Sequence, residues 1–342
     1  MTGDTAPCLL CGGRSSSHLV SGYDRIHPEE KDFEYSRCDS CGLVFLNPLP
    51  TPEEIPSFYP REYVPHQLSR VRNKTGFLNR FAVRNYYGAE SLHRSSVLRR
   101  FVRWFSSRIM RDLCEAHGAC RLLDVGCGSG GLMERHRDLG WTVCGIELSP
   151  NACEACRSRG LEVHPGTVLD APLAGRQFDV ILLSHVIEHV LDPVGLLRKM
   201  REFIAPGGRI ILRTPNIHGI GFLMYHSCWS ALEAPRHVVL FSPRTLSLLA
   251  KRAGFTVRRL KTRSEANMLC ESRHYAKTQG ERLPDGLEAR RALLEFSNQS
   301  RRKYKLYRKA ASPMTQLLAL AGRGDTMEAE LLCDPGASLD YS

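Results

Sequence analysis

The chain has 342 residues, more than one ordinary domain and few for three, so its length predicts one main core with appendages. Hydrophobic residues make up 42%, enough for that core, and no apolar run approaches the ~18 residues of a helical membrane span. No basic segment leads into an apolar stretch at the N-terminus, so a soluble cytoplasmic protein is expected, while a net charge of +11 keeps phosphate-bearing partners open.

At the N-terminus, Cys8-x2-Cys11 and Cys38-x2-Cys41 stand apart from the rest of the thirteen cysteines. Each pair closes on a glycine, Gly12 or Gly42, which frees the backbone to turn its amides toward the thiolates. The pairs are 26 residues apart, longer than the ~15–20 of the commonest pattern, yet four thiolates at knuckle spacing suit a tetrahedral zinc ion. The alternative is two dithiols that merely pack. Residues 1–60 are therefore read as a zinc-ribbon-like leader, whose small apolar content leaves metal binding to supply the fold. Four closed ligands leave no open position for chemistry, so the ribbon is expected to serve structure or substrate docking, with the zinc itself structural. Cys153-x2-Cys156 has no partner pair and is not read as a metal site.

A Pro-rich stretch over 49–65 leads into a connector, 61–115, read as a basic linker with a leading helix. Residues 61 to 111 hold twelve Lys or Arg against Glu62 and Glu90. Leu98, Phe101, Phe105, Ile109 and Leu113 recur at helical spacing, with Arg94, Arg99, Arg103, Arg108 and Arg111 largely on other faces. Such a surface suits phosphates, as in nucleic acid, a nucleotide-sugar or a carrier-bound phosphopantetheine, or it is a solvated helix face.

The main domain, 116–335, alternates strand and helix. Strands are expected at 121–125, 142–147, 161–164, 178–184, 208–214 and 255–262, then a helical insert near 280–318 with the basic run Arg301 to Lys309, and a final strand near 327–332. The run from Leu122 to Gly131 reads as a buried strand breaking into a glycine loop that opens a helix. Gly126, Gly128 and Gly130 can take positive φ and leave no Cβ in the way of a ligand. The next strand ends on Glu147, where an acid takes a ribose diol, so the unit predicts an adenosine-type cofactor. Loop spacing does not choose between cofactors, because the G-x-G-x-x-G of a nicotinamide site is also met by Gly126, Gly128 and Gly131.

Asp124 with its glycines, Glu147, Phe178-Asp179 and the turn Pro206-Gly207-Gly208 resemble the class I S-adenosylmethionine-dependent methyltransferases over residues 95 to 265. The resemblance implies an α/β, Rossmann-like seven-stranded sheet with helices on both faces and an antiparallel last strand. It also implies S-adenosyl-L-methionine as cofactor, with Asp124, Gly126, Gly128 and Gly130 at the methionine end and Glu147 on the ribose. Leu148, Val168 and Ser184 complete the expected cofactor-binding set. The leader is similar to the zinc ribbon that a subset of these enzymes carries.

Chemistry is expected beyond the carboxyl ends of the strands. Ser184-His185-Val186-Ile187-Glu188-His189 follows the fourth strand of the unit; in a helical turn His185, Glu188 and His189 share one face, and His237 returns from the loop after the fifth strand. The turn resembles the Glu-x-x-Glu-His motif of the ubiquinone-biosynthesis O-methyltransferases and the small-RNA 3′-terminal 2′-O-methyltransferases, where a divalent ion positions the acceptor oxygen. His185 replaces the first acid, which weakens the case for a hard ion. Three roles stay open for the catalytic set His185, Glu188, His189 and His237: a general base, a second divalent metal site, or a capped structural turn.

The expected activity is methyl transfer to a hydroxyl of a small-molecule acceptor, a glycosyl or natural-product intermediate. RNA methylation, sugar C-methylation and a non-catalytic cofactor-binding protein are the alternatives.

Overall fold

The structure, a computed structural model, describes residues 6–25, 32–59, 114, 120–278 and 302–334. The expected helix over Leu98 to Leu113, most of the basic connector and the start of the helical insert lie outside the described residues.

In chain order the strands are β1 (Ser16–Tyr23), β2 (Asp32–Cys38), β3 (Val44–Leu46), β4 (Arg121–Val125), β5 (Thr142–Glu147), β6 (Glu162–Pro165), β7 (Phe178–Ser184), β8 (Ile204–Pro215), β9 (Val239–Leu240), β10 (Phe255–Arg263) and β11 (Thr326–Cys333). Seven of them form one sheet in the order β10-β11-β8-β7-β4-β5-β6. β4, β5 and β6 pair in parallel, and β11 inserts antiparallel to both β8 and β10, from Thr326 opposite Pro215 to Leu332 opposite Arg209. This is the sheet implied by the sequence resemblance, with its reversed last strand. The parallel strands are apolar on both faces: Leu122, Leu123, Val180, Ile181, Leu182 and Leu183 are fully buried.

The helices are α1 (Gly131–Arg137), α2 (Pro150–Arg157), α3 (Pro193–Arg201), α4 (Ile220–Tyr225), α5 (Pro243–Arg252), α6 (Ala266–Lys277) and α7 (Lys305–Leu320). Local sequence sets where several begin. Ser149 caps α2 by accepting from the Ala152 amide, and Asp192 caps α3 by accepting from Gly195. Ser242 and Thr245 form a reciprocal capping box on α5, and in all three Pro follows the cap, where its missing N–H costs nothing.

The chain divides into two compact units: Pro65–Leu182 with Phe203–Gly208, and Met1–Val64 with Leu183–Glu202 and Arg209–Ser342. The second unit contains a small antiparallel sheet, β1-β2-β3-β9. Its fourth strand comes from far down the chain, with Val44 opposite Leu240 and Phe45 opposite Val239. Leu43, Val44, Phe45 and Leu46 are buried, and the Tyr35 hydroxyl donates to the His237 carbonyl at 2.7 Å. Metal was the only source of order the sequence offered for the leader. The structure adds a shared apolar core and a strand pairing with β9.

Candidate functional site

In the first unit, β4 ends at Val125 and the loop Gly126–Gly130 turns the chain into α1. Gly126, Gly128 and Gly130 take φ of +70°, +55° and +80°, a conformation that disfavours any side chain. At Gly130 a Cβ would meet Leu161 at 2.5 Å, whereas at Gly128 it would meet nothing within 4 Å, so the loop is packed on one side and open on the other. Glu147, buried at the end of β5, accepts the Gly128 amide on Oε2 and the Ser149 amide on Oε1, each at 2.8 Å. Two backbone donors thus fix the carboxylate. Beside it Leu148 is 68% exposed and Leu169 72% exposed, while Val168 is buried. A glycine cradle, a pinned acid and two uncovered leucines fit an adenosine ligand: hydroxyls for the acid, an apolar ring for the leucines. Asp124 is buried in β4, and Ser184 ends β7 half-buried.

Replacing Glu147 tests that cradle. Glu147→Ala is expected to weaken S-adenosylmethionine binding by about 1.5–3 kcal/mol, roughly 10- to 100-fold, the range for a hydrogen bond to a charged group. Glu147→Gln, which keeps an acceptor for only one amide, should fall between. Calorimetric titration measures both, and wild-type affinity in the alanine variant would overturn the assignment.

The histidine cluster lies wholly in the second unit. His185 follows β7 directly and takes φ of +58°, which is unusual for a residue with a Cβ and costs of order 1–2 kcal/mol. Its amide donates to the Arg213 carbonyl at 2.9 Å, and its Nδ1 lies 3.0 Å from Glu188 Oε1. Only Ile187–His189 form a helical turn, a short 3-10 one. The expected single helical face for His185, Glu188 and His189 is therefore corrected: the left-handed backbone at His185 takes it out of the turn.

Glu188 is fully buried, and Oε2 accepts the Thr214 hydroxyl at 3.1 Å. Burial opposes its charge, but the hydrogen bond from His185 and the nearby histidines outweigh it and hold the carboxyl down at about 2. Desolvation likewise disfavours charge on His185, yet the bond to Glu188 prevails and holds this histidine above its usual range. Its side chain is still 49% exposed. The pair is a carboxylate-oriented imidazole with one edge toward solvent.

His189 and His237 form a second pair, rings 4.7 Å apart at 71°. His189 Nδ1 lies 2.9 Å from the Arg236 carbonyl and 2.9 Å from the Tyr59 hydroxyl, and His237 Nδ1 lies 2.8 Å from the Ala231 carbonyl. A carbonyl only accepts, so in each ring Nδ1 carries a proton. Burial and the neighbouring His237 push His189 down to about 4, so it is neutral at physiological pH. His237 Nε2 lies 3.5 Å from Glu233 Oε2 and 4.0 Å from Glu188 Oε1. One ligand atom from each of Glu188, His189 and His237 fall within 4.8 Å of one another, and His185 is not in that group.

Arg236, almost wholly buried, carries this arrangement. Its guanidinium makes two 3.0 Å bonds to the Asp24 carboxylate and one of 3.2 Å to the Phe58 carbonyl, while its own carbonyl holds His189. Asp24, Tyr59, Thr214 and Arg236 were not singled out from the sequence. Asp24 and Tyr59 lie over 120 residues from their partners, so only the Pro235-Arg236-His237 string offered a local signal.

The leader cysteines converge as their spacing predicts. Cys8 and Cys41 sulfurs are 3.6 Å apart, Cys11 and Cys38 sulfurs 3.5 Å, and all four lie within 4.8 Å of one another. Gly12 and Gly42 take φ of +72° and +83°, letting their amides bond back to the Cys8 and Cys38 carbonyls at 2.8 and 2.9 Å. A tetrahedron with metal–sulfur bonds of about 2.3 Å has sulfurs about 3.8 Å apart, so the cluster matches a four-thiolate site.

A sequence model of the methyltransferase-domain family matches residues 61–260. The chain belongs to this family. The ubiquinone biosynthesis O-methyltransferase of Cereibacter sphaeroides is 36% identical over 110 residues, 30% of this chain and 44% of that one. The enzyme of the same name from a Caulobacter species is 42% identical over 104 residues, 28% of this chain and 41% of that one. The matched segment thus spans less than half the length of these relatives. Among solved structures, mitomycin 7-O-methyltransferase gives a TM-score of 0.40 at 18% identity, covering 69% of this chain and 58% of that one. Among the described residues, no helix of the methyltransferase is long and apolar enough to cross a membrane.

Proposed function

We propose that this methyltransferase moves a methyl group from S-adenosylmethionine to a hydroxyl of a small-molecule acceptor, a glycosyl or natural-product intermediate, with His185 as general base. One observation carries the choice of base: of the three histidines around Glu188, His185 alone is half-exposed, and it is held in a left-handed conformation at the end of β7. Glu188 accepts a hydrogen bond from Nδ1–H and leaves Nε2 as the base, the arrangement by which a carboxylate orients a catalytic imidazole. As the acceptor oxygen attacks, its proton passes to His185 Nε2, and the buried Glu188 charge steadies the imidazolium that forms. When bound, S-adenosylmethionine would supply an electrophilic methyl on a sulfonium for that oxygen. Relatives named as O-methyltransferases support an oxygen acceptor.

A second reading rests on the Glu188, His189 and His237 trio. Two imidazoles and a carboxylate, each imidazole held through Nδ1 by a backbone carbonyl, are a donor set for a borderline divalent ion. In the leader, Cys8, Cys11, Cys38 and Cys41 would hold a structural zinc.

The pH profile separates the two readings. A base must be neutral, and His185 sits above the ordinary 6.5, so turnover of a panel of hydroxyl acceptors should rise with pH through a limb above that value. Glu188→Gln removes the charge that raises His185, so the limb should move to lower pH as turnover falls. Chelation that leaves one equivalent of zinc in place should change nothing. Chelator-sensitive turnover restored by manganese would instead establish the metal, and an unmoved limb in Glu188→Gln would remove His185 as the base.

A further inference from the structure

Two cysteines that the proposed chemistry does not use sit at the cofactor loop. Cys127 lies between Gly126 and Gly128, and Cys156 lies on the last turn of α2, the helix that follows Glu147. Both thiols reach one acceptor: Cys156 Sγ is 3.3 Å and Cys127 Sγ 3.6 Å from the Gly128 carbonyl oxygen. Glycines make the space for them. A Cβ at Gly130 would lie 2.9 Å from Cys156 Sγ, and one at Gly145 would lie 2.6 Å from Cys127 Sγ. The two thiols thus converge on one backbone carbonyl of the cofactor loop, each in a space that a glycine leaves open.

We propose that Cys127 and Cys156 form a reversible disulfide that closes the cofactor loop against α2 and shuts off S-adenosylmethionine binding. The inference rests on the cofactor reading of this loop. Peroxide is the oxidant: the Cys156 thiolate attacks a peroxide oxygen to give a sulfenic acid and water, and the Cys127 thiol then displaces the second water as the sulfur–sulfur bond forms. Overall two thiols lose two electrons and two protons, and one hydrogen peroxide becomes two waters. Both thiols are buried, so the peroxide must enter as the loop opens, and Cys156, whose thiol Cys127 and the nearby Arg159 hold below the usual range, is the member that reacts first. A disulfide sets its sulfurs about 2.05 Å apart, well inside thiol contact, so closure must drag the Cys127–Gly128 peptide toward α2. That peptide supplies the amide bound to Glu147, and its movement spoils the cradle at the acid and the glycines together.

The decisive experiment treats the full-length, zinc-loaded protein with hydrogen peroxide, with and without S-adenosylhomocysteine. Cross-linked peptides are then mapped by mass spectrometry and S-adenosylmethionine affinity is measured by calorimetry. A Cys127–Cys156 cross-link is expected, with at least tenfold weaker binding that dithiothreitol restores and with protection by S-adenosylhomocysteine, which covers the loop. Cys156→Ser, compared with itself before and after peroxide, should show no cross-link at Cys127 and no change in affinity. A cross-link from Cys153 instead, no cross-link at all, or unchanged affinity in cross-linked protein would each overturn the proposal. Failure of the reduced wild type to bind S-adenosylmethionine would refute the cofactor reading, and peptide mapping would still report on the disulfide.

Discussion

His185→Ala is expected to lower turnover by ~10²–10⁴ while S-adenosylmethionine affinity stays near wild type, because a positioned base typically contributes that much and does not touch adenosine. The backbone at His185 is left-handed, so alanine keeps the conformational strain and glycine relieves it. His185→Gly therefore serves as the companion variant: a loss shared by both substitutions is chemical, whereas a loss confined to alanine would be conformational. Initial rates against a hydroxyl acceptor, with cofactor binding followed by calorimetry, provide the measurement. Wild-type turnover in both variants would place the base elsewhere, at His189 or His237. Loss of cofactor binding in both would instead show that this segment supports the cradle.

The second large effect is expected from the leader. Purified protein should carry about one equivalent of zinc, and Cys38→Ser should lose it together with the order of the cysteine turns, since four-thiolate sites supply folding free energy to small modules. The loss should not stop there. Cys38 ends β2, Val44 and Phe45 pair with β9, and Tyr35 holds the His237 carbonyl, so a slackened leader releases the strand that positions His237 and the Arg236 carbonyl on His189. Turnover should fall with the metal, although no leader cysteine is among the histidine cluster. Elemental analysis, limited proteolysis and rate measurement together check this. Metal retained by a variant with all four cysteines changed to serine would refute the site, and full turnover in metal-free protein would refute the coupling.

Much of this protein was legible without coordinates because it is written locally. The strand ending at Asp124-Val125, the glycines after it and the acid at position 147 lie within one strand–turn–helix–strand unit, where periodicity and turn chemistry act over a few residues. Strand positions, the glycine cradle and the two cysteine knuckles could be read from spacing. The reversed β11 came from resemblance, since nothing in Met327 to Leu332 alone dictates strand direction.

Tertiary structure decided the histidine site. A spacing of i, i+3 and i+4 predicts one helical face, but the chain leaves β7 through a left-handed residue, and that single φ takes His185 out of the helical turn while its ring keeps the Glu188 carboxylate. Which imidazole nitrogen bears the proton depends on the Arg236 and Ala231 carbonyls, and what fixes Arg236 is Asp24, 212 residues away. The leader's role was hidden for the same reason: Cys8, Cys11, Cys38 and Cys41 announce a metal site, but it takes the pairing of β3 with β9 and the contacts of Asp24, Tyr35 and Tyr59 to join the leader to the histidines. Sequence fixes what short-range geometry enforces. Contacts across the chain depend on a shared core, and the tautomers and buried charges they set emerge only once that core has formed.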